Sequence, residues 1–195
     1  MSSENNETRN RILNAAWALL ESSQGGGVRM SDIAKQAGIS RQAVYLHFKT
    51  RSELLIATTR YIDDVKDVES RFEACCHADN AVDGLNAFIQ AWGNYIPEIY
   101  GVAKALMAMK DTDEAAFSAW NNRMQAVRSG CEASVNGLAN ENLLSTDFSA
   151  EQATDIIWTM MSVRSWEQLT IECGWSQKKY IETMILLAQR ILKSN

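Results

Sequence analysis

A group of polar residues near the N-terminus has the types and spacing needed to recognise the edges of DNA bases. Arg41 and Gln42 directly follow Ser40, a residue type that commonly caps a helix, so both would lie in that helix's first turn. Arg can bind guanine and Gln can bind adenine through paired hydrogen bonds. Ala43 is small and apolar enough to contact the methyl group of thymine. These residue types indicate a DNA-reading helix.

The preceding residues supply the rest of a helix-turn-helix. Ser31 is positioned to cap a first helix, Gly38 can adopt the positive φ that ends it, and Ser40 can start the second. Two helices joined by a short Gly-containing turn place the second helix in the major groove. The apolar residues expected to pack the two helices together are Ile33, Ala34, Ala37, Val44 and Phe48.

The segment IAKQAGISRQAVYLHFKTRSELL, at positions 33 to 55, resembles the tetracycline-repressor (TetR) family of regulators. The shared features are a Gly-apolar-Ser/Thr turn, a Tyr followed three residues later by Phe, and basic residues that open the next helix. They are present here as Gly38-Ile39-Ser40, as Tyr45 with Phe48, and as Lys49 to Arg51. A helix, a glycine and a second helix also occur in many all-α proteins, where they serve packing alone.

The resemblance implies a double-stranded DNA partner with a palindromic operator, bound by a homodimer. It implies that Arg41, Gln42 and Ala43 contact bases and that Tyr45 and His47 hold phosphates. Without the motif, Tyr45 would be read as packing and His47 as a solvated surface residue. The full predicted DNA-binding set is Ser31, Ser40, Arg41, Gln42, Ala43, Tyr45, His47, Lys49 and Arg51.

Composition and charge agree with DNA binding at one end of the chain. The chain of 195 residues is long enough for one substantial core or two small domains, and 46% hydrophobic content with a single proline predicts a mostly helical globular protein. Residues 1–60 hold eight Lys or Arg against five Asp or Glu, although the whole chain has a net charge of −5. Phosphate binding depends on such a local excess of cations rather than on the total charge.

Several classes of site and location are disfavoured. The four cysteines show no CxxC spacing, so neither a metal site nor a disulfide is predicted, and thiol-based sensing is only weakly supported by Arg71 before Cys75. No apolar run approaches the ~20 residues that cross a bilayer, so no membrane contact is expected and the protein is predicted to be cytoplasmic. We find no paired carboxylates, Ser-His-Asp set or phosphate-binding glycine loop, and therefore expect no cofactor and no enzymatic activity.

The periodicity predicts an all-α fold of about nine helices. The resemblance implies a helix-turn-helix DNA-binding domain at 1–52 and an effector-binding and dimerisation domain at 53–195. Met1–Glu7 is expected to be a polar tail. Outside the motif, the expected helices are Arg9–Glu21, Ser52–His77, Ala81–Tyr95, Pro97–Lys110, Glu114–Asn140, Ala150–Cys173 and Gln177–Lys193.

The last two helices carry broad apolar faces. In the TetR family the final two helices of each subunit form a four-helix dimer interface, so the resemblance implies that part of these faces meets a second subunit; ordinary core packing is the alternative. The residues predicted for the interface are Ile157, Met160, Ile181, Met184, Ile185, Ala188 and Leu192.

The middle of the chain is rich in aromatic residues and methionine. Such residues at helical spacing often form ordinary core, but in the family a small effector binds between the helices of this region. The predicted effector-binding residues are Trp92, Tyr95, Tyr100, Met107, Trp120, Met124, Trp158, Met161 and Trp166. The leading hypothesis is a repressor released by a small hydrophobic or aromatic effector. Activation, an all-α enzyme and a protein-binding helical adaptor are the alternatives.

Overall fold

The computed structural model describes residues 2–23 and 27–192. Within these ranges the protein has ten α-helices, one short π-helical turn (Gln168–Glu172) and no β-strand, which confirms the all-α prediction. Lys193, the predicted end of the last helix, lies outside the described residues. The helices are α1 (Ser2–Ser22), α2 (Met30–Ala37), α3 (Arg41–His47), α4 (Arg51–Val65), α5 (Val68–Cys76), α6 (Ala81–Met109), α7 (Glu114–Asn140), α8 (Ala150–Met160), α9 (Val163–Glu167) and α10 (Gln177–Leu192).

The chain forms two compact units. The first contains the residues up to Asp67 together with Tyr100–Arg123, and the second contains Val68–Ile99 and the residues from Met124 onward. Helices α6 and α7 each contribute residues to both units. The boundary between residues 52 and 53 stays a prediction about domains.

Two predicted boundaries in the first unit are wrong. Helix α1 begins at Ser2, although Met1–Glu7 was expected to be a tail; Glu4 lies in its first turn, where a carboxylate is favoured by the helix dipole. The expected single helix Ser52–His77 is divided between α4 and α5, because Asp67 adopts a left-handed conformation with a φ of 51°. Asp is one of the few residue types that tolerate this conformation, so no glycine or proline marked the break.

The predicted division at Pro97 is also wrong, because α6 continues through this residue. A proline within a helix removes the hydrogen bond to the carbonyl four residues earlier, here that of Gly93. Gln177 replaces the missing donor: its Nε2 donates to the Gly93 oxygen at 2.6 Å. The Gln177 Oε1 also accepts from the indole Nε1 of Trp166 at 2.9 Å. A side chain from α10 thus satisfies the backbone group that the proline leaves unpaired.

The predicted helix Ala150–Cys173 is interrupted after Met160. Ser162 starts α9 by accepting a hydrogen bond from the Ser165 backbone N–H at 3.1 Å. The carbonyl of Met161, at the break, accepts from the indole Nε1 of Trp92 at 2.7 Å. The beginning of α8 is as predicted, since Ser149 and Gln152 form a reciprocal capping box.

The hydrogen bond to Gly93 leads to a prediction about stability. Gln177→Ala removes the hydrogen-bond donor to the Gly93 carbonyl, and leaving this buried backbone group unpaired costs about 1–3 kcal/mol. Gln189→Ala is the matched control on the same helix, because it removes one side-chain bond to Asn86 and leaves the backbone paired. We expect its cost to be about 0.5–1 kcal/mol. Equilibrium urea unfolding measures both, and equal losses would contradict the role given to Gln177.

Candidate nucleic-acid interface

The first helix of the motif begins differently from the prediction. Helix α2 starts at Met30, and the Asp32 carboxylate accepts a hydrogen bond from the Arg29 backbone N–H at 3.4 Å. Ser31 therefore does not cap α2, and that prediction is wrong. Asp32 supplies the acceptor from the third helical position, a role that the sequence pattern did not separate from capping by Ser31. Ser31 lies exposed in the first turn, and its phosphate contact stays a prediction.

The turn of the motif is confirmed in detail. Gly38 has a φ of 67°, the left-handed conformation that lets α2 end and the chain turn. The carbonyl of Ala37 accepts from the Arg11 guanidinium at 2.7 Å, so α1 holds the end of α2. Ser40 caps α3, because its Oγ accepts from the Ala43 backbone N–H at 3.1 Å.

The inner face of α3 is anchored in the core of the first unit. Val44 and Phe48 are both 0% exposed. The guanidinium of Arg9 lies 4.7 Å from the centre of the Phe48 ring, so α1 also covers this side of the motif. The packing residues Ile33, Ala34 and Ala37 of α2 are buried as predicted. One face of α3 is thereby fixed, which determines which residues point outward.

The outer face of α3 presents most of the predicted base-reading residues. Arg41, Gln42 and Tyr45 are exposed, whereas Ala43 and His47 are half-buried. The Arg41 Nη2 donates to the Tyr45 hydroxyl at 3.3 Å, and the guanidinium lies 5.5 Å from the ring centre. The Arg41 side chain therefore packs against Tyr45 instead of extending freely into solvent.

Arg51 is engaged within the protein. Its Nη1 donates to both carboxylate oxygens of Asp113 at 2.6 and 2.7 Å, and its Nε donates to the Val28 carbonyl at 2.5 Å. Asp113 also accepts from the backbone N–H groups of Ala115 and Ala116 at the start of α7. The hydrogen bond from Arg51 holds the pKa of Asp113 below its ordinary value. Contact of Arg51 with DNA phosphates stays a prediction, while Lys49 nearby is exposed.

An open cleft of about 600 Å³ brings several predicted DNA contacts together in the first unit. Three guanidinium groups and a tyrosine hydroxyl surround it, and Asp113 neutralises part of their charge. Such a concave, cationic surface suits the phosphate backbone of DNA. The lining residues are Gly27, Val28, Arg29, Met30, Ser31, Arg41, Tyr45, Arg51 and Asp113.

The predicted effector-binding residues are divided between the two units. Tyr100, Met107 and Trp120 are half-buried in the first unit. The second unit buries Trp92, Tyr95, Met124, Met161 and Trp166 and leaves Trp158 half-buried. The rings of Trp92 and Tyr95 lie 6.1 Å apart, in an arrangement that serves packing as well as ligand contact. Their role in effector binding stays a prediction.

The predicted dimer residues are mostly internal to the second unit. Ile157, Met184, Ala188 and Leu192 are buried within the single chain, and Met160, Ile181 and Ile185 are half-buried. The large apolar residues that α10 exposes are Leu186 and Leu187, at 46% and 37%. Neither leucine belongs to the predicted set, because both lie beside the i, i+4 stripe that defines the predicted face.

The cysteines show no feature of a metal or disulfide site. All four are unbridged; burial raises the pKa of the Cys131 thiol to about 12, and burial also raises the pKa of Cys75. No group of three potential metal-binding side chains occurs in the part of the chain that the structure describes. Within the same part, none of the helices combines the length and the apolarity that a membrane crossing requires.

Comparisons with known proteins point to one family. The sequence model of the family described as "Bacterial regulatory proteins, tetR family" matches residues 12–58, which include the whole helix-turn-helix. The HTH-type transcriptional regulator CymR of Pseudomonas putida is 25% identical over 89% of this chain and 82% of its own length. The nucleoid occlusion factor SlmA of Marinomonas sp. is 34% identical, but the match covers 33% of this chain and 32% of that protein. The chain thus matches only about a third of SlmA.

The fold is also similar to solved structures. A crystal structure from Rhodococcus sp., described as a TetR-family transcriptional regulator, has a TM-score of 0.74 and 22% sequence identity. The similarity covers 96% of this chain and 99% of that one. The likeness therefore extends beyond the motif to the complete helical architecture.

The ion pair of Arg51 leads to a prediction about pH-dependent stability. Asp113→Asn keeps the shape and the capping ability of the side chain but removes its charge. Because the pKa of Asp113 is lowered in the folded protein, its stabilising effect is present above the ordinary carboxyl pKa and is lost as the pH falls through the lowered value. We therefore expect the variant to melt at a lower temperature at pH 7, with the difference shrinking in acid.

Asp155→Asn provides the matched control. Its ion pair with Arg128 involves a carboxylate that is 58% exposed, so solvent screening should make its loss less costly than that of the Arg51–Asp113 pair. Calorimetric melting curves between pH 3 and pH 7 measure both variants. A larger effect for Asp155→Asn, or a pH-independent effect for Asp113→Asn, would contradict the proposed role of the pair.

Proposed function

We propose that this chain, which belongs to the TetR family of bacterial regulatory proteins, is a repressor that binds a palindromic operator as a homodimer and dissociates when a small apolar or aromatic effector binds. The observation that carries this proposal is the exposed face of α3, where Arg41, Gln42 and Tyr45 lie above a fully buried Val44 and Phe48. TetR-family members are transcriptional regulators rather than enzymes. Activation of transcription is the alternative mode of regulation.

The DNA contacts follow from the position of each side chain. The first turn of α3 would place Arg41 and Gln42 at base edges in the major groove. The Arg41 Nη2 donates a hydrogen bond to the Tyr45 hydroxyl at 3.3 Å. Because this bond restricts the Arg41 side chain before DNA binds, less conformational entropy is lost on binding. Lys49 is exposed at the end of the motif, where it can contact the phosphate backbone without reading sequence.

A homodimer is proposed because helix-turn-helix proteins read palindromic half-sites with two symmetry-related recognition helices. The surface of α10 that carries Leu186 and Leu187 supports this part of the proposal, since burying exposed leucines against a second subunit lowers the free energy of the assembly. The half-buried Met160, Ile181 and Ile185 would lie toward the edge of such an interface. The buried members of the predicted set would then support the interface from within the second unit.

The effector is proposed to bind among the helices of the second unit. Trp92, Tyr95 and Trp166 provide aromatic surface there, and the hydroxyl of Tyr180 is buried without a hydrogen-bond partner in the part of the chain that the structure describes. Burial raises the pKa of Tyr180, so this hydroxyl remains a donor at neutral pH. An unpaired buried donor is costly, and a polar group on an otherwise apolar effector would satisfy it.

Release from DNA requires the effector to prefer one conformation. An effector that binds the DNA-incompetent state more tightly lowers operator affinity by the difference between its two binding free energies, typically ~1–3 kcal/mol. Helices α6 and α7 contribute to both units, so they are the segments through which we expect this coupling to act. A regulator of this kind meets its operator in the cytoplasm, which is the location we propose.

The base-reading role of α3 is tested by two variants of similar exposure. Arg41→Ala should weaken binding to the preferred duplex by ~1–3 kcal/mol and relax the preference for its sequence. Lys49→Ala should weaken binding to preferred and random duplexes alike and reduce the dependence of affinity on salt. Fluorescence anisotropy over a range of salt concentrations measures both effects. Equal losses on both duplexes for Arg41→Ala would remove Arg41 from the base-reading set.

The dimer is tested by placing charges on the exposed surface of α10. Leu186→Glu combined with Leu187→Glu should give a monomer with weakened operator binding, because a carboxylate buried at a subunit interface is strongly disfavoured. Both side chains lie outside the core, so the monomer should stay folded. Lys179→Glu, an exposed change on the same helix, is the control. Sedimentation velocity measures the subunit number, and a fully dimeric double variant would show that the interface lies elsewhere.

A further inference from the structure

Leu46 is the most exposed large apolar side chain that the structure describes, with 82% of its surface accessible. It lies on α3, a helix whose other outward residues include Arg41 and Gln42. Exposing a leucine to water costs free energy. The apolar contact of this short helix with the core is made by Val44, which is fully buried. Leu46 therefore adds nothing to the core and is available for a contact outside the chain.

The position of Leu46 on the helix limits what it can contact. It follows Gln42 by four residues and Ala43 by three, so the three side chains share one face of α3. The only other large apolar residue exposed on α2 or α3 is Tyr45, at 39%. This isolated pair is much smaller than a protein interface, which covers about 800 Å² on each partner. A partner that offers a small apolar group within a polar surface therefore fits Leu46 better than a protein does.

The major groove of DNA offers one such feature, the C5-methyl group of thymine. We infer that Leu46 is a specificity-determining residue that packs against a thymine methyl in each operator half-site, within about two base pairs of the pair contacted by Gln42. The inference rests on the proposed function, because it requires α3 to enter the major groove. It adds a base preference that hydrogen-bonding residues alone would not produce.

The contact is tested by removing the methyl group from the DNA. An operator is first selected from a random duplex library, and each thymine in its half-sites is then replaced by uracil, which keeps the base pair and removes only the methyl. At one thymine, we expect uracil to weaken binding of the unchanged protein about fourfold, the factor that corresponds to ~0.8 kcal/mol for one buried methyl-sized group. Leu46→Ala should bind both duplexes equally.

Three further variants separate the contact from other effects. Leu46→Met keeps an apolar side chain and should retain the uracil effect, and Lys49→Ala should retain it while binding every duplex more weakly. Ala43→Gly tests whether Ala43, the other apolar residue on this face, makes the methyl contact instead of Leu46. All are surface or near-surface changes in α3 or directly after it, and circular dichroism checks that each variant is folded.

The outcomes distinguish this inference from the proposed function. An enriched operator whose uracil effect persists in Leu46→Ala would overturn the role of Leu46 and leave DNA recognition intact. Loss of the effect in Ala43→Gly, with retention in Leu46→Ala, would assign the methyl contact to Ala43. Failure to enrich any sequence would overturn the proposed function and the Leu46 contact with it.

Discussion

The attachment of α3 to the core beneath it is the constraint on which the rest of the molecule depends. A helix of seven residues is far too short to be stable alone in water. Its conformation is imposed by the buried Val44 and Phe48, by the cap at Ser40 and by the left-handed turn at Gly38. Once the inner face is fixed, the helical repeat leaves Arg41, Gln42, Tyr45 and Leu46 on the outside. The orientation of the proposed DNA-binding side chains therefore depends on the buried residues beneath α3, which lie away from its outer face.

Two polar networks elsewhere in the chain each supply a side-chain donor to a backbone carbonyl. Gln177 pairs the Gly93 carbonyl that Pro97 leaves without a donor, and in this way α6 remains a single helix. Arg51 connects the Val28 carbonyl, before α2, with Asp113 at the start of α7. Each network uses one long side chain to satisfy groups that are distant in sequence. Each also makes the local geometry sensitive to a single substitution, because several polar groups lose their partner together.

The features predictable from the sequence are those determined by neighbouring residues. The turn at Gly38, the cap at Ser40 and the burial of Val44 and Phe48 follow from local periodicity and are all present. The continuation of α6 through Pro97 depends on Gln177, which lies 80 residues further along the chain, and no local pattern reports it. The engagement of Arg51 by Asp113 is equally non-local. Ser31 was misassigned because Asp32 competes for the same position in the cap.

The central claim is that the exposed face of α3 reads a defined DNA sequence as part of a symmetric dimer. Its most direct test is selection of bound sequences from a random duplex library at near-physiological salt, performed in parallel with the purified protein and with Arg41→Ala. Enrichment of a palindrome that the variant does not enrich is the predicted result. Absence of any enriched sequence, also after unfolding and ligand-free refolding to remove a carried-over effector, would contradict the claim.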